Sequence, residues 1–109
     1  MYNLRELRYK HRMRIIAKKP LREFWEKFPD AEDALKAWNA EAESASWQTP
    51  ADIKEKYRNA SIIKDSRAVF NICGNKYRLV VRISYGFGIV YIRFIGTHKE
   101  YDAIDVEVV

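Results

Sequence analysis

Arg67-Ala68-Val69-Phe70-Asn71-Ile72-Cys73-Gly74-Asn75-Lys76-Tyr77-Arg78-Leu79-Val80-Val81-Arg82 decides the fold. Apolar and polar residues alternate on both sides of Gly74-Asn75, a two-residue hairpin signal. Counting outward from the turn sets Cys73 against Lys76, Ile72 against Tyr77, Asn71 against Arg78, Phe70 against Leu79, Val69 against Val80 and Arg67 against Arg82. Side chains alternate between the faces of a strand. Phe70, Ile72, Tyr77, Leu79, Val81 and Ile83 therefore share one face. Arg67, Asn71, Lys76, Arg78, Val80 and Arg82 share the other, and Cys73 joins them by parity.

Working outward, Tyr85-Gly86-Phe87-Gly88 connects to a third strand, about Ile89 to Gly96. Pairing Ser84 with Ile89 adds Val90, Ile92 and Phe94 to the apolar face. It adds Tyr91, Arg93 and Ile95 to the basic one. Upstream of Ser61 the period is helical. Met13-Arg14-Ile15-Ile16 reads as a short first strand. Pro20 then stands at the first turn of a helix, carrying Leu21, Phe24, Trp25 and Phe28 at i, i+3, i+4, i+7. Pro29 ends it, and a second helix carries Ala31, Leu35, Trp38 and Ala42. Thr49-Pro50-Ala51-Asp52 predicts a third, short helix over Ala51–Tyr57. Trp25, Phe28 and Trp38 read as core. The order predicts an α+β domain: a small, mostly antiparallel sheet with N-terminal helices packed on one face.

The other face is then basic and free of helix cover. From Ser61 to Lys99 the cations are Lys64, Arg67, Lys76, Arg78, Arg82, Arg93 and Lys99, against one acid, Asp65. A solvated face normally mixes signs, and two arginines set directly opposite destabilise a sheet. That cost points to an anionic partner, and arginine forks suit phosphate oxygens. Nucleic-acid backbone is the simplest candidate. The last strand runs into Thr97-His98-Lys99-Glu100-Tyr101-Asp102. There His98 can carry a proton near neutral pH, Lys99 can stabilise negative charge, and Tyr101 can donate or orient. Gly96 would let the chain bend out of the sheet. A strand running straight through Gly96, however, would turn His98 toward the helices.

The 109 residues suit one domain, and three Trp, seven Tyr and five Phe suffice for one core. No apolar run approaches the ~20 residues of a membrane span, and Met1–Arg12 lacks the apolar segment of a secretory signal. One cysteine allows no internal disulfide, which fits a cytoplasmic protein. Two histidines and one cysteine offer no metal-ligand spacing, so neither a metal nor another cofactor is expected.

Met13-Arg14-Ile15-Ile16, Val69-Phe70-Asn71-Ile72, Gly74-Asn75-Lys76-Tyr77-Arg78-Leu79-Val80, Tyr91-Ile92-Arg93 and Gly96-Thr97-His98-Lys99-Glu100-Tyr101-Asp102 together resemble the HigB-type toxins of the RelE superfamily. The resemblance spans about Met13 to Asp105. It implies a RelE-like toxin domain over 13–109, with 1–12 a basic extension outside it. It also implies the toxin of a type II toxin–antitoxin pair, a ribosome-associated endoribonuclease cutting translated mRNA. The expected partner is a helix-turn-helix antitoxin. By resemblance, Arg78 matches the strand arginine that contacts the scissile phosphate, and His98 and Tyr101 match polar residues at the end of the last strand.

The reaction then expected is metal-independent attack of an RNA 2′-hydroxyl on the adjacent phosphate. Arg78, His98, Lys99, Tyr101 and Arg93 form the catalytic set. Lys64, Arg67, Asn71, Lys76, Arg82, Tyr91 and Asp102 form the RNA-binding set. Two rivals stay open, a ParE-like inhibitor of DNA gyrase and a non-catalytic RNA-binding module. The histidine and the basic sheet speak against the first, and the second leaves His98 without a role.

Overall fold

The computed structural model describes residues 12–109; the extension expected over 1–12 lies outside them except for Arg12. The elements run β1 (Arg14–Ile16), α1 (Lys19–Lys27), a 3-10 turn (Pro29–Ala31), α2 (Glu32–Ser44), α3 (Pro50–Lys56), β2 (Ser61–Ile63), β3 (Arg67–Ile72), β4 (Tyr77–Ser84), β5 (Ile89–Thr97) and α4 (His98–Asp102). They build an α+β fold around one sheet of order β1-β5-β4-β3-β2. All neighbours pair antiparallel except β1, which lies parallel to β5. The chain reaches that far edge through α1–α3, the kind of long connection a parallel pair requires.

Pro20 opens α1, and its fixed φ suits a first turn. Its stripe buries Leu21 and Phe24, while α2 buries Leu35, Trp38 and Ala42. Asp52 caps α3 by accepting from the backbone N–H of Gln48 at 2.8 Å and of Thr49 at 3.1 Å. All three helices face the apolar side of the sheet. There Phe70 meets the rings of Trp38, Trp47 and Tyr57 at centroid distances of 5.4, 6.0 and 5.0 Å. Tyr77 meets Phe24 and Phe28 at 5.0 and 5.6 Å. Trp38 and Phe70 are buried, and Trp25 and Phe28 pack against the core from its edge. Truncating a buried aromatic such as Phe70 costs about 3–5 kcal/mol.

The β3–β4 register is the one counted from the turn, from Ile72 opposite Tyr77 to Arg67 opposite Arg82. The turn itself differs. Cys73 and Gly74, rather than Gly74 and Asn75, take positive φ, at 54° and 66°. This swings Cys73 off the basic face, so that its Sγ donates to the Asp30 carbonyl at 3.0 Å. Lys76 likewise leaves that face to pair with the Asp30 carboxylate. Two elements escape the periodicity argument. β2 is a three-residue edge strand, too short to show alternation. α4 is one turn of helix closed by a reciprocal cap.

Candidate active site

β5 carries a bulge that sets the site. Val81 pairs with Ile92, but Val80 pairs with Phe94, leaving Arg93 as the extra residue. Every residue after it changes face. Ile95, opposite Leu79, packs against the helix-side core. Phe94, opposite Val80, stands on the other face with Gly96, opposite Arg78. The straight-strand parity expected for Phe94, Ile95 and His98 is thereby reversed. The side chain of His98 lies outside the helix layer, about half exposed.

Gly96 is glycine for a reason other than bending. It stays paired in β5, and a Cβ there would stand 2.5 Å from Cζ of Phe94, whose ring lies across it. Thr97 then caps α4. Its hydroxyl accepts from the Glu100 N–H at 3.1 Å, and the Glu100 carboxylate accepts from the Thr97 N–H at 2.8 Å. That backbone bond holds the Glu100 carboxyl below its usual range. The cap fixes where α4 presents its side chains. Positions i, i+3 and i+4 share one side of a helix, so His98, Tyr101 and Asp102 line up. Nδ1 of His98 lies 3.1 Å from the Asp102 carboxylate, an arrangement that leaves Nε2 outward. The His98 N–H donates to the Lys76 carbonyl at 3.1 Å, tying the helix start to the hairpin.

Arg78 lies beside this turn, opposite Gly96 and one residue from the Tyr77–Thr97 pair. Its Nη1 donates only to carbonyls, of Asn75 at 3.0 Å and Tyr77 at 3.2 Å. Among the described residues, Arg78, Arg82, Arg93 and Lys99 make no ion pair. The structure thus brings Arg78, His98, Tyr101 and Asp102 to one corner, with Lys99 exposed on the same short helix. An imidazole oriented by a carboxylate beside an unpaired guanidinium can move a proton next to a bound phosphate.

The remaining cations divide. Arg82 and Tyr91 pair across β4 and β5 at the far end of the face, and Arg93 is exposed at the bulge. Lys76 is held by Asp30, whose carboxyl is lowered first by Lys76 and then by the Tyr77 hydroxyl, which donates at 2.5 Å. Lys64 pairs with Glu107 at 3.1 Å. Arg67 is 9% exposed, and its Nε and Nη2 donate to the Val109 backbone oxygen at 3.0 and 2.9 Å.

Those contacts correct the picture of an uncovered face. Val69 and Val80 point to that face, yet they are 3% and 0% exposed and stand apart from the helix-side core. The stretch 103–109 leaves α4 at the Tyr77 end of β4 and meets Arg67 opposite Arg82. It must cross ~17 Å of strand, within its reach of ~25 Å. The half-buried Ile104, Val106 and Val109 travel with it. Among the described residues, the β3 side of the face is therefore strapped by the chain itself, whereas Arg82 of β4, Arg93 of β5 and Arg14 of β1 are exposed. Arg14, on β1 next to β5, belongs with them by register; its strand was legible but its neighbour was not.

Residues 31–104 match the HigB toxin family, described as the RelE-like toxic component of a toxin–antitoxin system. This chain belongs to that family. It is also 32% identical over 92 residues to the mRNA interferase toxin HigB of Escherichia coli (strain K12), covering 83% of this chain and 88% of that protein. The mRNA interferases HigB of Escherichia coli O157:H7 and Shigella flexneri match to the same extent. The HigB-family match takes in α2 to α4 and all four antiparallel strands, hence Arg78, the bulge and the His98–Asp102 turn. The β1–α1 start and residues 105–109 lie beyond it. Among the described residues of this HigB-family chain, no group of three or more His, Cys, Asp or Glu could hold a metal ion. No helix among them is long and apolar enough to cross a membrane.

Proposed function

We propose that this chain is the mRNA-cleaving toxin of a toxin–antitoxin pair, acting in the cytoplasm on mRNA engaged by the ribosome, with a helix-turn-helix antitoxin as its partner. The observation that carries the reading is the His98–Asp102 pair beside Arg78, which makes no ion pair among the described residues. Its family membership and its mRNA-interferase relatives support the same substrate.

In the proposed reaction the RNA 2′-oxygen attacks the adjacent phosphorus and the bond to the 5′-oxygen breaks. The products are a 2′,3′-cyclic phosphate and a 5′-hydroxyl. One group must take the 2′ proton and another must give a proton to the leaving oxygen. Nε2 of His98 serves one of these transfers, with Asp102 orienting the ring through Nδ1. Tyr101, on the same side of α4, orients the RNA or assists the second transfer. Arg78 meets the phosphorane charge, and Lys99 and Arg93 add to the field. Arg82, Asn71 and Tyr91 contact the strand. Arg67 and Lys64, already partnered, support the architecture of the face more than they hold RNA, and Lys76 is drawn off it by Asp30.

The test is cleavage of a defined mRNA, free and under translation, with end-group analysis of the products. Cyclic-phosphate ends that disappear in His98→Ala and Arg78→Ala support the reading. A chain that leaves both RNAs intact and instead inhibits gyrase overturns it.

A further inference from the structure

The β4–β5 loop carries a feature the reaction does not use. Phe87 stands between Gly86 and Gly88 and is 85% exposed. It overlooks an open cleft of about 560 Å³ lined by Ser66, Arg82, Ser84, Tyr85 and Tyr91 beside it. Arg82 and Tyr91 are directly opposed across the strands, and Arg14 lies on the adjoining edge of the same face. Among the described residues, no carboxylate lines the cleft. Single exposed apolar side chains are common and need no explanation. Here the ring is joined to two tyrosines, two serine hydroxyls and, in Arg82, a guanidinium that makes no ion pair among the described residues.

We propose that this cleft is a second RNA subsite, in which an unpaired base stacks on Phe87 while Arg82 meets a neighbouring phosphate. The proposal rests on the ribonuclease reading. Aromatic platforms beside cations are how single strands are held without base pairing, because every base offers a π-face. Arg82 lies four residues from Arg78 along β4, ~13 Å on the same face. The strand cut at His98 therefore extends along β5 to reach Phe87. The subsite grips nucleotides away from the scissile bond, which places its effect on binding rather than on the chemical step.

The binding probe is a single-stranded RNA carrying 5-iodouridine, added to the His98→Ala protein so that it is not cut. Photo-cross-links should map to Phe87 or Tyr91. Phe87→Ala should weaken binding about 5- to 150-fold, and Phe87→Trp should restore it. In the otherwise native chain, Phe87→Ala should raise KM for RNA and leave kcat unchanged. An unmoved KM in Phe87→Ala, with native cleavage, overturns the subsite and leaves the ribonuclease reading standing. The same holds if Phe87→Ala loses only the antitoxin, which makes the loop a protein contact. A native chain that cuts neither free nor translated RNA overturns both.

Discussion

His98 and Arg78 differ in what they already touch, and that difference predicts how their variants fail. His98 is half exposed, and its Nδ1 lies against the Asp102 carboxylate. His98→Ala should therefore keep the native melting temperature and RNA affinity while cleavage falls ~10²–10⁴-fold, the usual worth of a positioned proton carrier. Single-turnover cleavage paired with thermal melting checks both halves. Native-rate cleavage by His98→Ala would end its assignment. Asp102→Asn should lose less, because it removes the orienting charge and not the proton carrier. Arg78→Ala should lose both cleavage and affinity, since its guanidinium meets phosphate in the ground state and in the phosphorane. Tyr101→Phe separates hydroxyl from ring: a large loss assigns proton transfer or orientation, and no loss assigns packing.

The working element is the β5–α4 junction, where the bulge, Gly96 and the Thr97–Glu100 cap act in series. Gly96→Val should cost about 1–3 kcal/mol, the range for overpacking, because its side chain meets the Phe94 ring. Phe94→Ala should recover part of that cost, measured by urea unfolding of the two singles and the double. The cap adds a pH dependence. The Glu100 carboxyl is lowered in the fold, first by the Thr97 N–H. Its stabilisation is thus fully present above the unfolded value, ~4.3, and is lost as pH falls through the lower folded value. Asp30, lowered by Lys76, acts in the same direction. Melting temperature should therefore fall on the acid side, and Glu100→Gln should flatten part of that fall by lowering stability near pH 7 to pH 8 while leaving the acid end unmoved. Periodicity made the strands legible but hid this junction. A bulge adds one residue to an otherwise regular alternation, and the sequence around Arg93 reads equally well in either parity.

At the scale of the whole molecule, RNA binding should weaken steeply with salt, with a log–log slope near −0.7 for each phosphate met on single-stranded RNA. Arg82 to a carboxylate should reduce that slope for all sequences alike. A salt-independent affinity would remove the role proposed for the basic face. Arg67→Ala has a different expected outcome. It removes the two bonds to Val109, so it should destabilise the fold by about 1–3 kcal/mol. It should also speed amide exchange over residues 103–109 while affecting RNA affinity less than Arg82→Ala does.

Local patterning determined most of the architecture. Alternation about Gly74-Asn75 specified the β3–β4 register, because a one-residue slip would expose the whole apolar face. The helical stripes specified which sides of α1 and α2 are buried, and the shortage of acids from Ser61 to Lys99 marked the face where anions belong. Tertiary structure alone decided which of those cations remain available. Asp30 is distant in sequence from Lys76, Glu107 from Lys64 and Val109 from Arg67, so their pairing leaves no local signal. It also decided where His98 points. That depends on one extra residue in β5, whose placement is set by packing on two faces at once: Ile95 must reach the helices and Phe94 must cover Gly96.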